Sequence, residues 1–425
     1  MFRLSPLFVA LASLVAGLSF LAGAPAPKHG TKATDWPEYR GSNRDNISPD
    51  KNLLKEWPKG GPKVVWKSEG VGAGFSSVAV AGDNIFTMGD QKGSSYVFAI
   101  ERATGKPLWS TKVGKAGGNY TGTRCTPTVD GKLVYGIGQF GDLVCLDTAK
   151  GEEKWRKDFR KDFAGRAGGW NYCESPLIDG DRLVCTPGGP KATMVAFDKL
   201  TGEEVWRSAV GDSAQYSSIV ISNAAGVKQY VQLTSGGTIG VSAKDGKLLW
   251  RFDKLGRNTA SIPTPIVLGN QIFTAAGYNG KGGALLTLSS GGPTGVTMKE
   301  EYYKTDLKNK HGGVTIVGDY AYADSDDSGH PYCADWKTGE IKWKRDNEGK
   351  GRGSCAITYA DGHLYCRYQN GYVALVPVGG DNYKEVGSFQ IEGRKEPSWP
   401  HPVVIGGRLY LREQDTLWCY DVSAK

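Results

Sequence analysis

Short apolar runs rich in Val, Ile, Leu and aromatic residues recur along this chain from Val64 to its end, most of them in pairs divided by a two-residue turn signal. The signals are Gly82-Asp83, Asp130-Gly131, Asp179-Gly180, Gly269-Asn270, Gly318-Asp319, Asp361-Gly362 and Gly406-Gly407. Gly, Asn and Asp tolerate the positive φ of tight hairpin turns, so each pair predicts two antiparallel strands. Between Ser217 and Leu233 a longer link, Asn223-Ala-Ala-Gly226, stands in the same place. A third run follows each hairpin, and in five units it ends on an acidic residue, Glu101, Asp147, Asp198, Asp335 or Asp421. A Gly turn then leads into a fourth run that carries a large aromatic residue. The predicted unit is four antiparallel strands.

The second half of this unit has a fixed spelling: a small residue, Asp or Glu two later, Gly four after that, and Trp four after the Gly. Ala99-Ile-Glu101 leads to Gly105 and Trp109, and Cys145-Leu-Asp147 to Gly151 and Trp155. Ala196-Phe-Asp198 leads to Gly202 and Trp206, and Cys333-Ala-Asp335 to Gly339 and Trp343. A weaker copy has Ser242, Asp245-Gly246 and Trp250. Repetition with a period of roughly 40–50 residues marks an array of supersecondary units, usually the blades of a propeller. The outer-strand aromatics fall at Trp66, Trp109, Trp155, Trp206, Trp250, Tyr302 or Tyr303, Trp343 and about Phe389. Trp66 has no preceding half-unit, and Cys419-Tyr-Asp421 is a half-unit with no following Trp. Each end supplies what the other lacks. The fold class read from this is all-β: an eight-bladed β-propeller of four-stranded antiparallel blades, closed by an N-terminal outer strand that removes the exposed edges. One large flat side chain per blade packs against the next blade, so the repeated Trp reads as structure before ligand stacking.

Composition agrees: 60 of the 425 residues are Gly, about twice the usual share of about 7%. The N-terminus is different. Arg3 precedes an apolar run from Leu7 to Leu21, with Ala22-Gly-Ala24 behind it, which reads as a secretory signal peptide over 1–24. Residues 25–60, including Asp35-Trp-Pro-Glu-Tyr-Arg40, lack strand alternation and read as an extension packed on the propeller surface with Trp36 and Trp57 as anchors. Residues 61–425 form the ring. No Cys precedes Cys125, so no lipid-attachment cysteine follows the signal. The expected location is periplasmic or otherwise exported, with no membrane span after cleavage and a monomeric state.

Eight Cys in an exported chain raise the question of disulfides. Cys145, Cys333 and Cys419 fill the small-residue slot of the repeat, as small hydrophobes do. A hairpin at Asp179-Gly180 puts residue 185 opposite 174, turning Cys173 to the other face; Cys366 falls opposite 357, diagonal to Cys355. Neither pair is placed to bond. The charge of +8 is spread over 52 basic and 44 acidic residues without a cluster, which excludes a nucleic-acid stripe.

The unit Ala-x-Asp-x-x-Thr-Gly-x-x-x-Trp resembles the repeat of pyrroloquinoline-quinone-type propellers, a superfamily of quinoprotein alcohol dehydrogenases and BamB-like envelope proteins. The resemblance covers about residues 60–425. It implies a non-catalytic binding or assembly scaffold of the cell envelope with a protein or glycan partner. The alternative it implies is a quinoprotein (PQQ-dependent) dehydrogenase, which would need PQQ, a calcium ion and a catalytic Asp in the funnel. The vicinal Cys-Cys pair of such dehydrogenases is absent and no catalytic residue carries over, so no cofactor is assigned.

The loops that enter the inner strands converge around the axis of a propeller, where ligand sites form. They hold Arg124, Trp170, Glu174, Tyr216, Asn258, His311, Lys350, Arg352, Trp399 and His401, the candidate binding residues. Asp324-Ser-Asp326-Asp327-Ser-Gly-His330 has oxygen donors at alternating positions but no downstream acidic ligand, and reads as a turn between second and third strands. Glycine-rich segments at 72–74 and 115–119 precede no helix, so they cradle no phosphate.

Overall fold

Hairpin pairing and the Trp repeat produce eight four-stranded antiparallel sheets. The computed structural model describes residues 34–424 except 326–327, 346–348 and 395–396, so the leader over 1–24 lies outside the described residues. In blades one to seven, chain order is spatial order from the axis outward, as in blade one with Ala79–Ala81, Asn84–Gln91, Ser94–Glu101 and Pro107–Lys115. Blade eight takes Val403–Ile405, Arg408–Glu413 and Thr416–Asp421 from the C-terminus and Lys63–Glu69 from the N-terminus as its outer strand. The ring is closed by that strand. No helix among the described residues is long and apolar enough to cross a membrane.

The repeated motif is a latch between blades. Each small residue pairs with its own blade's Trp: Ala99 with Trp109, Cys145 with Trp155, Ala196 with Trp206, Cys333 with Trp343 and Cys419 with Trp66. A β-bulge follows at the same place in each of these blades, where the two strands part by one residue. The indole then reaches the next blade. Trp66 Nε1 donates to Arg102 O at 3.1 Å, Trp109 Nε1 to Thr148 O at 3.1 Å and Trp155 Nε1 to Lys199 O at 3.0 Å. Its ring lies on the glycine of that blade's turn: a Cβ on Gly202 (φ +72°) would sit 2.7 Å from Trp155. The Asp caps the same turn, as Asp147 Oδ1 accepts from the backbone N–H of Ala149 and Lys150. In blade four Ser242 takes the Asp place, and Gly240 pairs with Trp250, whose Nε1 turns to Gln229 Oε1 instead. Tyr302, not Tyr303, holds the position in blade five, with its hydroxyl on Trp336 O at 2.5 Å. Phe389 has no polar handle and packs against Trp57 and Tyr420.

Two hairpins differ from the sequence reading. In blades two and three Asp130 pairs with Leu133 and Asp179 with Arg182, so the loops are Gly131-Lys132 and Gly180-Asp181. The shift lets glycine, at φ +58° and +64°, take the left-handed position that Asp would otherwise occupy. The register places Leu177 opposite Val184, so Cys185 is not opposite 174. All eight cysteines are free.

The N-terminal segment is the larger departure. It runs into the axial channel rather than along the outside. Trp36 exchanges both backbone hydrogen bonds with Val80 of blade one at 2.8 Å, and Pro37 O accepts from Val129 of blade two. Arg44 donates to Ser175 O and Pro176 O of blade three and to Ile219 O of blade four. Arg40 donates to Val314 O of blade six, and Asn46 Nδ2 to Ile357 O of blade seven and to His401 Nδ1 of blade eight. Asp35 meets the blade-one hairpin at Gly82, and Asp50 meets the blade-eight hairpin at Gly407. Both contacts lie on the face where the first hairpins turn. Residues 36–48 therefore enter from that face, reverse through Arg40, Arg44 and Asn46 at positive φ, and leave by the same face. Backbone carbonyls at the axis, left without ladder partners, are satisfied by these side chains.

Candidate functional site

The loops that enter the inner strands form a funnel over the inserted segment, with a cavity of about 250 Å3 at its base. Tyr39, at the reversal of the segment, belongs to its lining. Ser77, Thr126 and Ser218 line it too, and they belong to a set of hydroxyls that share one position per blade, four residues before the end of each first strand, with Ser175 and Thr264 outside the lining. They link blades one to five in sequence. Ser77 N donates to Thr126 Oγ1 at 3.1 Å, Thr126 N to Ser175 Oγ at 3.0 Å, Ser175 N to Ser218 Oγ at 3.1 Å and Ser218 N to Thr264 Oγ1 at 3.2 Å. Blade six has Gly313 there at φ +67°, and a Cβ would sit 2.4 Å from Arg40 NH1, so the guanidinium takes the room a side chain would fill.

Aromatic rings wall the cavity. His311 stacks on Trp399 with ring centres 4.5 Å apart and planes 7° from parallel. Phe75 and Tyr120 pack on Trp399 at 4.8 Å and 5.2 Å, and its Nε1 donates to Gln369 Oε1. Across the cavity Trp170 meets Tyr216 edge-on at 6.0 Å, and the Tyr216 hydroxyl accepts from the Trp170 backbone N–H. Arg124 lies over Phe75, its guanidinium held by the carbonyls of Gly122, Asn119 and Tyr120. No Asp or Glu appears among the described lining residues.

Of the ten candidates, Arg124, Trp170, Tyr216, His311, Trp399 and His401 meet at this cavity. His401 is spent structurally. Its Nδ1 accepts from Asn46, which fixes the proton on Nε2, near Tyr39 OH and His311 O. Burial, with Arg40 beside it, holds its pKa down at about 3. Glu174 does not line the cavity. It is sealed among Thr186 N, Thr186 Oγ1 and Gln232 Nε2, and burial raises its pKa to about 8. Asn258 is tied to Ala260 O, Lys350 is solvent-exposed, and Arg352 is folded onto Gly349 O and Gly351 O; none lines the cavity.

The sequence reading missed Tyr39, Phe75, Tyr120, Tyr278, Gln369, Cys173 and the hydroxyls. The hydroxyls had a signal, a Ser or Thr at one fixed place in five successive units. Tyr39 had none, because it lies outside the repeat. The Asp324–His330 segment joins second and third strands, with Ser325 N on His330 O; Asp326 and Asp327 are outside the described residues. No group of three or more metal-ligating side chains occurs among the described residues.

A family profile described as "Outer membrane protein assembly factor BamB" matches residues 58–135 and 93–345. The outer membrane protein assembly factor BamB of Shewanella oneidensis is 25% identical over 252 residues, 56% of this chain and 60% of that protein. BamB of Kangiella koreensis is 25% identical over 173 residues, 38% of this chain and 41% of that protein. The chain thus spans about two fifths to three fifths of the length of these relatives. Among solved structures, quinohemoprotein alcohol dehydrogenase ADHIIG from Pseudomonas putida HK5 matches with a TM-score of 0.61 at 12% identity, over 93% of this chain and 81% of that one. That likeness is one of fold.

Proposed function

Since the chain belongs to the family of the outer membrane protein assembly factor BamB, we propose that it is an exported, non-catalytic binding propeller of the cell envelope that holds a ligand or partner in its aromatic funnel. The observation that carries this reading is the cavity itself: a recess walled by Trp170, Tyr216, Tyr278, His311 and Trp399, floored by hydroxyls, and closed toward the opposite face by residues 36–48. Concave, mostly apolar recesses with a few placed polar groups are binding sites. Glu174, outside the cavity, and His401, on its lining, are both strongly displaced in protonation and both committed to internal hydrogen bonds.

The quinoprotein reading fits these residues poorly. The quinone is a planar tricarboxylate and needs several cations, and its calcium needs carboxylate or carbonyl oxygens. The described lining offers one Arg and no carboxylate. No step is derived through such a group.

Two measurements on the purified full chain test the proposal. Titration with quinone and calcium, followed by absorbance and dye reduction, gives a flat response on this reading. Pull-down from envelope extracts recovers a partner that a Trp170→Ala/His311→Ala variant fails to recover. Dye reduction dependent on the quinone refutes a non-catalytic role, and identical recovery by the variant refutes the funnel as the binding face.

A further inference from the structure

The cavity has three features whose combination narrows what can occupy it. Its wall contains a free aromatic platform. Trp399 is already covered by His311 on one face and by Phe75 and Tyr120 elsewhere. Among the described residues Trp170 touches one ring, Tyr216, with planes 62° apart, and none is stacked on either of its faces. Its floor donates hydrogen bonds. Thr126 Oγ1 and Ser218 Oγ each accept a backbone N–H from the neighbouring blade, at 3.1 Å from each, and neither donates to a protein atom among the described residues. One lone pair of each oxygen is engaged by the ring, which leaves the O–H free to donate to a ligand in the cavity that both residues line. Its third feature is one fixed positive charge. Arg124 is clamped by three carbonyls and makes no ion pair among the described residues, and no carboxylate lines the space with it.

A flat platform, short hydroxyl donors and a preorganised guanidinium suit a ring that is apolar on its faces, rich in hydroxyls around its edge and anionic at one substituent. We propose that the funnel binds an acidic saccharide, one ring stacked on Trp170, its hydroxyls on Thr126 and Ser218, and its carboxylate or sulfate ester on Arg124. The inference rests on the binding reading above and names the class of ligand for that same site. The physics favours a sugar over an acidic peptide: the Trp170 platform suits a ring with apolar faces, which an acidic peptide segment lacks, and a sugar edge brings several acceptor oxygens to floor hydroxyls that each have one lone pair already engaged. Three of the five Arg124 donors are spent on loop carbonyls, and charge-assisted bonds from Nε and the second NH1 hydrogen of a guanidinium already held in place lose little entropy on binding.

The test uses the purified full chain and four probes by calorimetry at fixed salt: oligogalacturonate, a sulfated galactan oligosaccharide, neutral maltohexaose and poly-glutamate. Binding of either acidic saccharide, with maltohexaose and poly-glutamate at least about tenfold weaker, supports the proposal, and the stronger of the two assigns carboxylate or sulfate. Arg124→Gln weakens that saccharide about tenfold or more, and Arg124→Lys restores part of the loss because it keeps the charge but not the fork. Trp170→Ala weakens it at least about fivefold with a melting temperature within about 2 °C, since the half-buried side chain makes one edge-on ring contact, to Tyr216, and the fold's hydrogen bond there comes from the backbone. Poly-glutamate binding as tightly as the saccharides overturns the proposal in favour of an acidic peptide. Saccharide binding that ignores Arg124→Gln and Trp170→Ala overturns it as well. If no saccharide binds while the funnel-dependent pull-down succeeds, this inference falls and the binding reading stands; if both fail, both fall.

Discussion

Replacing Arg44 by Met is the sharpest perturbation of the channel insert. Arg44 is 3% exposed and joins three separate parts of the fold through one guanidinium. Nε pairs with Glu38 Oε2 at 2.7 Å, NH1 bonds Ser175 O at 3.1 Å and Ile219 O at 3.0 Å, and NH2 bonds Pro176 O. Met keeps much of the volume and none of the donors. It takes the Arg44 donor away from the buried Glu38 carboxylate, 1% exposed, and three donors away from inner-strand carbonyls. Breaking a buried ion pair from one side costs about 3–5 kcal/mol. Unfolding entropy of about 2.1 cal/mol/K per residue converts about 4 kcal/mol into a fall of about 5 °C in melting temperature for a ring of this size. The control is Arg207→Met. Arg207 pairs with Glu204 on the outside, with side chains 45% and 29% exposed, and such pairs contribute about 0–1 kcal/mol. The double variant Glu38→Gln/Arg44→Met also removes the buried charge that had paired with Arg44 and recovers part of the loss, so the two single effects are not additive. Differential scanning calorimetry reads all four proteins. Arg44→Met within about 1 °C of the Arg207 control refutes the argument that the insert holds blades three and four together.

Other outcomes follow from the same geometry. Glu174, raised to about 8, retains a proton that the unfolded chain loses above its usual value of 4.5, so stability falls as pH rises from about 4.5 to 8. His401, lowered to about 3, stays neutral where the unfolded chain gains a proton below 6.5, so stability falls as pH drops from about 6.5 to 3. The two slopes cancel between pH 4.5 and 6.5, leaving a plateau in urea midpoint; Glu174→Gln removes one of them, so its midpoint rises with pH up to about 6.5 and stays level above; an unchanged alkaline limb in that variant counts against the assignment. Gly202→Ala forces φ +72° on an L-residue and drives its Cβ into Trp155, costing about 2–4 kcal/mol, whereas Gly180→Ala, with open space at φ +64°, pays only the strain of about 1 kcal/mol; equal losses by thermal melting rule out the latch. Cys173 is the one cysteine that is not fully buried, yet dehydration pushes its thiol to about 12, about a thousandfold less thiolate than at 9.0. Iodoacetamide labelling of the native chain at pH 7.5 is slow and confined to Cys173, and rapid labelling there contradicts the dehydrated site.

The fold was legible because propeller geometry writes itself into local chemistry. A hairpin needs Gly, Asn or Asp where φ turns positive, and the latch needs Trp at one place and glycine beneath it in the next blade. Asp147, Asp198 and Asp335 cap their turns through the same pairs of backbone N–H groups. Such requirements act on residues close in sequence, so spacing reports them. Even the errors were local: Asp130-Gly131 and Asp179-Gly180 slipped by one because glycine, not Asp, takes the left-handed site.

The insert was illegible for the opposite reason. Its partners are backbone carbonyls at Ser175, Pro176, Ile219, Val314 and Ile357, atoms that every residue carries and no sequence pattern marks. Only the insert's own residues bore a trace, since Arg40 and Arg44 are side chains that carry donors and no acceptor. A channel ringed by eight first strands presents acceptors that cannot pair with one another, and a donor-rich segment of irregular backbone is one way to satisfy them. The same demand shaped the site. Tyr39 reaches the funnel because the insert has to reverse near the axis, and the floor hydroxyls of blades one to five are present because their blades have to be linked there. Candidate residues chosen for chemical character alone therefore divided unevenly. Glu174 and His401 proved to be internal fasteners, whereas Trp170 and Arg124, whose side chains the ring does not consume, are left facing the cavity.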